Sequence, residues 1–249
     1  MMRYSGQRVF VTGGAGVIGD TLVRALHAEG ANVLVGDLKP RPSDWPGDIA
    51  YRQGDLNDLQ AWELAAFAPT VIFHLAATFE RSVETFEFWD ENFRHNLRLS
   101  HHLGGLMRGC AGLRRVVFAS SYLVYDPDTY IFDHPADAPV ILSEEHRIQP
   151  RNLCGGAKLI HELELSFLQH FDQTQFTAAA ARIFRSYGRG SRDVISRWVR
   201  AALKGEPIDV FNPEGLFDYV YADDVAEGLL RLGLSDHVGA LNLTRGRAR

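Results

Sequence analysis

Apolar positions along the chain follow two periods. Short runs rich in β-branched and aromatic residues, at 8–12, 32–37, 71–75, 115–120 and 176–183, predict strands. Longer segments with apolar residues at helical spacing, at 16–29, 59–67, 90–109, 152–171, 191–204 and 223–234, predict helices. Strand and helix alternate, which is the pattern of repeated βαβ units. It predicts an α/β fold with a parallel sheet covered on both faces. Crossovers of this kind are right-handed, so the first half is expected to form a doubly wound sheet. Its ligand crevice then lies beyond the carboxyl ends of the strands. Segments 39–48 and 126–139 are rich in turn formers and carry neither period; they predict loops, the second over an active site.

Composition narrows the functional classes. The 249 residues are 46% hydrophobic, enough for one large core or a core with a small lobe. A formal net charge of −5 leaves no basic stripe to neutralise a run of phosphates, so no nucleic acid partner is expected. Neither Cys110 nor Cys154 belongs to a CxxC pair or a zinc-spaced cluster, which fits a reducing cytoplasm. His74, His95, His101, His102 and His161 form no metal constellation and are expected in solvated or capping roles. The N-terminus lacks the apolar stretch of a signal peptide, and no apolar run has bilayer length. A cytoplasmic protein without a membrane partner is expected.

The first strand is followed by Gly13-Gly14-Ala15-Gly16-Val17-Ile18-Gly19 and then an apolar helix. Gly13 would permit the tight turn, Gly16 the approach of a pyrophosphate, and Gly19 the close packing of helix on strand. The N–H groups around Val17 and Ile18, with the positive end of the helix dipole, would receive the diphosphate. The second strand ends at Asp37, before Leu38. A carboxylate there bonds ribose hydroxyls and repels a 2′-phosphate, favouring NAD over NADP, although Lys39 and Arg41 lie nearby. The fold class is therefore a Rossmann-type doubly wound sheet.

Across nearly the whole chain these residues resemble the extended short-chain dehydrogenase/reductase family, in particular its nucleotide-sugar epimerases and dehydratases. Gly54-Asp55-Leu56 is similar to the segment contacting adenine, and His74-Leu75-Ala76-Ala77 to the segment beside the nicotinamide ribose. Asn92 matches the asparagine of the following helix. Ser121, in Ala119-Ser120-Ser121-Tyr122-Leu123-Val124-Tyr125, matches the catalytic Ser or Thr. Segments 182–188 and 218–226 resemble later family segments. The resemblance implies NAD contacts from Asp55, Leu56, Leu75, Ala76, Ala77, Asn92, Lys158 and Phe184, and substrate contacts from Thr78, Ser121 and Arg185. It also implies a homodimer packed through 90–109 and 152–171, a dinucleotide-binding domain at 1–180, and a partial substrate lobe at 181–249 interleaved with the last strands.

The family's chemistry uses Tyr-x-x-x-Lys on one helix face, where the lysine charge depresses the phenol pKa. Here Lys158 is present and the tyrosine position is Cys154. A thiol ionises near 8.5 against a phenol near 10, so Cys154 qualifies as a proton acceptor, but it is shorter. It needs a closer substrate, a bridging water or a relay through Ser121; otherwise it is a small buried cysteine without chemistry. Phe217 stands where the family often has a diphosphate-gripping Arg, and Arg185 where it has Asn, so the anion contact is either relocated to Arg185 or replaced by a structural ion pair. Tyr122-Leu123 replaces the Asp-Glu pair of 4,6-dehydratases, disfavouring dehydration. Asp223 and Asp224 read as cap and dipole partners of a helix. Segment 241–249 resembles the strand after which family members continue, which implies either a fragment or a reduced lid. Two functions are expected from these features. One is an NAD-dependent epimerase or oxidoreductase of a nucleotide sugar or related polyol; the other is a non-catalytic NAD-binding redox sensor or assembly partner.

Overall fold

The computed structural model describes residues 2–79, 84–131, 140–172, 174–210 and 216–247. In chain order the elements are β1 (Arg8–Thr12), α1 (Val17–Ala28), β2 (Asn32–Asp37), β3 (Ala50–Gln53), α2 (Ala61–Phe67), β4 (Val71–His74), α3 (Phe86–Asn92) and α4 (Leu99–Arg108). There follow β5 (Arg115–Ser121), α5 (Leu153–His170), β6 (Thr177–Ile183), β7 (Arg185–Tyr187), α6 (Val194–Lys204), β8 (Tyr219–Tyr221), α7 (Ala222–Gly233) and β9 (Gly239–Leu243). Seven strands pair in the order β3-β2-β1-β4-β5-β6-β9, every pairing parallel. The chain winds outward from β1 to β3 and returns beside β1 as β4. That reversal opens a crevice at the carboxyl ends of β1 and β4.

All five predicted strands lie in this sheet. Their side chains alternate between two cores. Val9, Val11, Val71, Phe73 and Val117 pack with Leu22, Leu26, Leu229 and Leu230 of α1 and α7. Phe10, Ile72, Val116 and Phe118 pack on the other face with Leu64, Leu99, Leu103, Met107 and Leu165 of α2, α4 and α5. The boundary proposed at residue 180 falls inside β6, and β9 pairs with β6 in the same sheet. A two-stranded ribbon, β7 with β8, stands apart from it.

Two expectations change, and the two predicted loops gain detail. The helix placed at 90–109 begins at Phe86, where the Thr85 hydroxyl accepts from Phe88 N–H at 3.3 Å, and a π-helical stretch, Phe93–Arg98, joins α3 to α4. Its wider turn aims Asn92 and Asn96 into the interior together, where their side chains bond each other at 2.6 Å. His74 and His161 are core residues rather than solvated or capping ones. His74 is held between Thr12 Oγ1 (2.7 Å) and Ser100 Oγ (3.0 Å); His161 pairs with Glu164 at 2.8 Å and packs edge-on against Phe118. Burial pushes both imidazole pKa values down. Loop 39–48 is pinned by Trp45, which is buried and donates to Asp20 at 2.5 Å. In 126–139, Pro127–Thr129 forms a short 3₁₀ turn, and 132–139 lie outside the described residues.

A buried ion pair braces the sheet's later half. Arg182 of β6 donates to Glu162 of α5 at 2.7 Å and to the Tyr125 hydroxyl at 3.0 Å. Glu162 also accepts from Ser120 of β5, and Tyr125 donates to Asn242 of β9 at 2.7 Å.

Candidate active site

The crevice has two rims. On the first, Gly13 has φ +72°, and a Cβ there would lie 2.6 Å from Ala76 N. A Cβ at Gly19 would lie 2.2 Å from the Gly13 carbonyl oxygen. Both glycines are required by backbone approach. Gly16 is less crowded: its Cβ would meet only the Gly13 oxygen, at 3.1 Å. The missing side chain at Gly16 thus serves the space beyond the turn, where a pyrophosphate is expected, and α1 begins there with no side chain capping its N–H groups. Asp37 fastens the turn, accepting from Ala15 N–H and Lys39 N–H at 2.9 Å each. Leu38 beside it is exposed. Thr12 Oγ1 accepts from Leu75 N–H and Ala76 N–H at 3.1 Å, holding the segment after β4 against the turn. These groups fit a dinucleotide.

Asp55 lies farther along this rim. Burial raises its pKa, but hydrogen bonds from Asn57 and Arg94, the latter at 2.7 Å, outweigh that and hold it down to about 2. Leu56 is buried, and its side chain fills the space over Gly36, so only its backbone remains for a ligand.

On the second rim, Asn152 caps α5, accepting from Gly155 N–H at 2.8 Å, and the first turn carries Cys154 with Lys158 one turn on. A Cβ at Gly155 would lie 2.4 Å from the Leu123 carbonyl oxygen, so α5 presses onto the turn that Ser121 caps. Cys154 is 4% exposed, with its sulfur 3.8 Å from the Thr78 carbonyl and 3.9 Å from Asn96 Nδ2. Lys158 Nζ donates to the Ala119 carbonyl at 2.7 Å. Burial pushes its pKa down to about 8, against the opposing pull of Cys154 and Glu162. Asn92 donates to the Leu153 carbonyl at 3.3 Å, while Asn96 accepts from Thr78 N–H at 2.8 Å. Thr78 donates to Glu91 of α3 at 2.6 Å.

The β7–β8 ribbon carries the remaining candidates. Arg185 stacks over Phe217, its guanidinium 4.2 Å from the ring centre, and forms no ion pair among the described residues. The neighbouring Asp218 carboxylate is committed to the amides of Arg245, Gly246 and Arg247, at 3.1, 2.7 and 3.0 Å. Phe184 packs on Tyr122 with ring centres 5.3 Å apart. Asp223 and Asp224 lie in the first turn of α7 as dipole partners, while Tyr221 takes the cap position. Among the described residues no cluster of metal-ligating side chains occurs, and no helix is long and apolar enough to cross a membrane.

The structure thus gathers Thr78, Asn92, Cys154 and Lys158 at one end of the sheet, with Ser121 on the turn beneath α5. Sequence reasoning missed Asn96, Glu91 and Glu162. Asn96 stands four residues after Asn92, and Glu162 four after Lys158, so same-face spacing was a usable signal for both. Glu91 had none.

A parallel sheet with a glycine turn at its switch point, opposed by a helix bearing Cys154 and Lys158, defines a dinucleotide-binding protein of the short-chain dehydrogenase/reductase type. Residues 9–242 match the model of the NAD dependent epimerase/dehydratase family, and the chain belongs to that family. NAD is its cofactor. The chain is 29% identical over 241 residues to a UDP-glucose 4-epimerase of Mycolicibacterium smegmatis, covering 91% of this chain and 73% of that one. It is 27% identical over 250 residues to UDP-glucuronic acid decarboxylase 2 of Arabidopsis thaliana, covering 97% and 54%. Among solved structures, MoeE5 in complex with UDP-glucuronic acid and NAD superposes with a TM-score of 0.80 at 33% identity, over 97% of this chain and 77% of that one.

Proposed function

We propose that the protein is an NAD-dependent epimerase or oxidoreductase of a nucleotide sugar, working by hydride transfer at a sugar hydroxyl. The carrying observation is that segment 75–78 meets the glycine turn at Gly13 and the first turn of α5 at Cys154, whose sulfur lies 3.8 Å from the Thr78 carbonyl, with Lys158 held at the Ala119 carbonyl by a 2.7 Å bond. NAD, when bound, accepts hydride at its nicotinamide and can return it. The Val17 and Ile18 amides would receive the pyrophosphate and Asp37 the adenosine ribose. Asp55, Leu75 to Ala77, Asn92 and Phe184 would line the remaining dinucleotide. Lys158 would bind the nicotinamide ribose, Ser121 would polarise the reacting hydroxyl, and Cys154 occupies the acid/base position. Arg185, stacked on Phe217, would take an anionic group of the substrate bidentately.

Mass spectrometry of the denatured protein for released dinucleotide, with NADH absorbance and product analysis over a panel of UDP-sugars, tests this reading. Retained NAD with conversion of one sugar supports it. Bound NAD with no conversion favours a non-catalytic NAD-binding protein, a reading motivated by the enclosed thiol at position 154.

A homodimer is also proposed. Phe93, Ile160, Leu163 and Phe167 are 51%, 52%, 62% and 55% exposed on the π-helical stretch and α5, an apolar face suited to a second copy. A monomer in sedimentation at high concentration would overturn it.

A further inference from the structure

We propose that the proton of the reacting sugar hydroxyl leaves through the Thr78 side chain to the Glu91 carboxylate, which serves as the terminal base of this site. The proposal rests on the nucleotide-sugar reading above and names the proton path within it. Thr78 ends the segment that Thr12 holds against the glycine turn, so it follows directly on the dinucleotide rim. Its peptide unit is fixed on both sides by one amide: Asn96 Oδ1 accepts from Thr78 N–H at 2.8 Å, and Asn96 Nδ2 donates to the Thr78 carbonyl at 3.3 Å. Cys154 Sγ lies 3.8 Å from that same carbonyl, so Thr78 borders the acid/base position itself.

The thiol, committed toward the Thr78 carbonyl and short of a phenol's reach, leaves a gap on the path of a proton. Thr78 Oγ1 donates to Glu91 Oε1 at 2.6 Å, a charge-assisted bond that leaves the threonine oxygen free to accept from a second hydroxyl. The residue that donates to Glu91 is thus the one adjoining the thiol. In the oxidation step the substrate C–H bond breaks and its electron pair leaves with the hydrogen to the nicotinamide of NAD. The substrate O–H proton passes to Thr78 Oγ1 as the threonine's own proton passes to Glu91, and a C=O bond forms. Returning the hydride reverses both transfers. Atoms and electrons balance, with NAD as the oxidant.

Glu91→Gln, which keeps the shape and loses the base, is expected to lower kcat by about 10²–10⁴-fold with little change in KM or NAD binding. Thr78→Val should fall as far, and Thr78→Ser should retain turnover. Added formate should restore part of the turnover of Glu91→Ala, a recovery that a purely structural role does not give. Infrared difference spectra of the unaltered protein, loaded with NADH and keto product, should show a protonated carboxyl that Glu91→Gln removes. Glu91→Gln turning over within about threefold of the unaltered chain overturns the relay alone, as does Cys154→Ser abolishing a turnover that Glu91→Gln keeps. A missing infrared band, or no rescue by formate, also overturns it. An unaltered chain that binds NAD and converts no nucleotide sugar overturns the function and the relay together.

Discussion

The two rims of the crevice are built by different means. Around Gly13–Gly19 the geometry is set chiefly by backbone meeting backbone: a Cβ on Gly19 would sit 2.2 Å from a carbonyl oxygen, and Asp37 closes the turn through the Ala15 amide. The opposite rim is set by side chains from distant segments: Thr78 with Asn96 and Glu91, Cys154 against Thr78, Arg185 on Phe217. A rim made of backbone admits few sequences and announces itself in glycine spacing. A rim made of side chains can be exchanged residue by residue while the fold stays as it is.

This contrast is open to test. The largest expected effect comes from the brace beneath the side-chain rim: Glu162→Ala strands the buried Arg182 guanidinium and should cost about 3–5 kcal/mol of stability by chemical denaturation. On the backbone rim, Gly19→Ala should cost up to about 3 kcal/mol, since the neighbour met is a fixed carbonyl, and should weaken NAD binding measured by calorimetry. Arg185→Ala should leave NAD affinity unchanged and weaken nucleotide-sugar binding by about 1.5–3 kcal/mol, the worth of hydrogen bonds to a charged group. A loss of NAD affinity in Arg185→Ala would mean the two rims are not separable.

The smallest effect is that of pH. The Lys158 ammonium, lowered by burial to about 8, loses its charge as pH rises through that value, so NAD affinity should decline from neutral pH toward alkaline pH. Stability has the opposite sign. Between about 8 and the ordinary lysine pKa of 10.5 the unfolded chain binds the extra proton, so this residue's contribution to folding becomes more favourable as pH rises through that window. Titrations of NAD and denaturation midpoints over the same buffers separate the two.

The first rim was readable in the sequence because its constraints are local: the glycines, the uncapped helix start and Asp37 are each dictated by neighbours a few residues away or one strand over. The five long strands were readable for the same reason. Strand β3, with Tyr51 and Arg52 on a half-covered edge, and the three-residue strands β7 and β8 have no period to detect. His74 and His161 misled because an imidazole counts as polar in any pattern, yet here each ring is enclosed with a hydrogen bond to a side chain. Positions 185 and 217 each stood out by resemblance, but nothing in the sequence tells that one stacks on the other, because their meeting depends on the pairing of β7 with β8.

The brace joining Ser120, Glu162, Arg182, Tyr125 and Asn242 has an evolutionary consequence. It fixes α5 to β5 and β6 through a residue two helical turns past Cys154, so the mount of the reactive rim is independent of what the rim carries. A lineage can therefore try different groups at position 154 without losing the placement of Lys158. The thiol at position 154 thus sits on a holder whose placement does not depend on the group it carries.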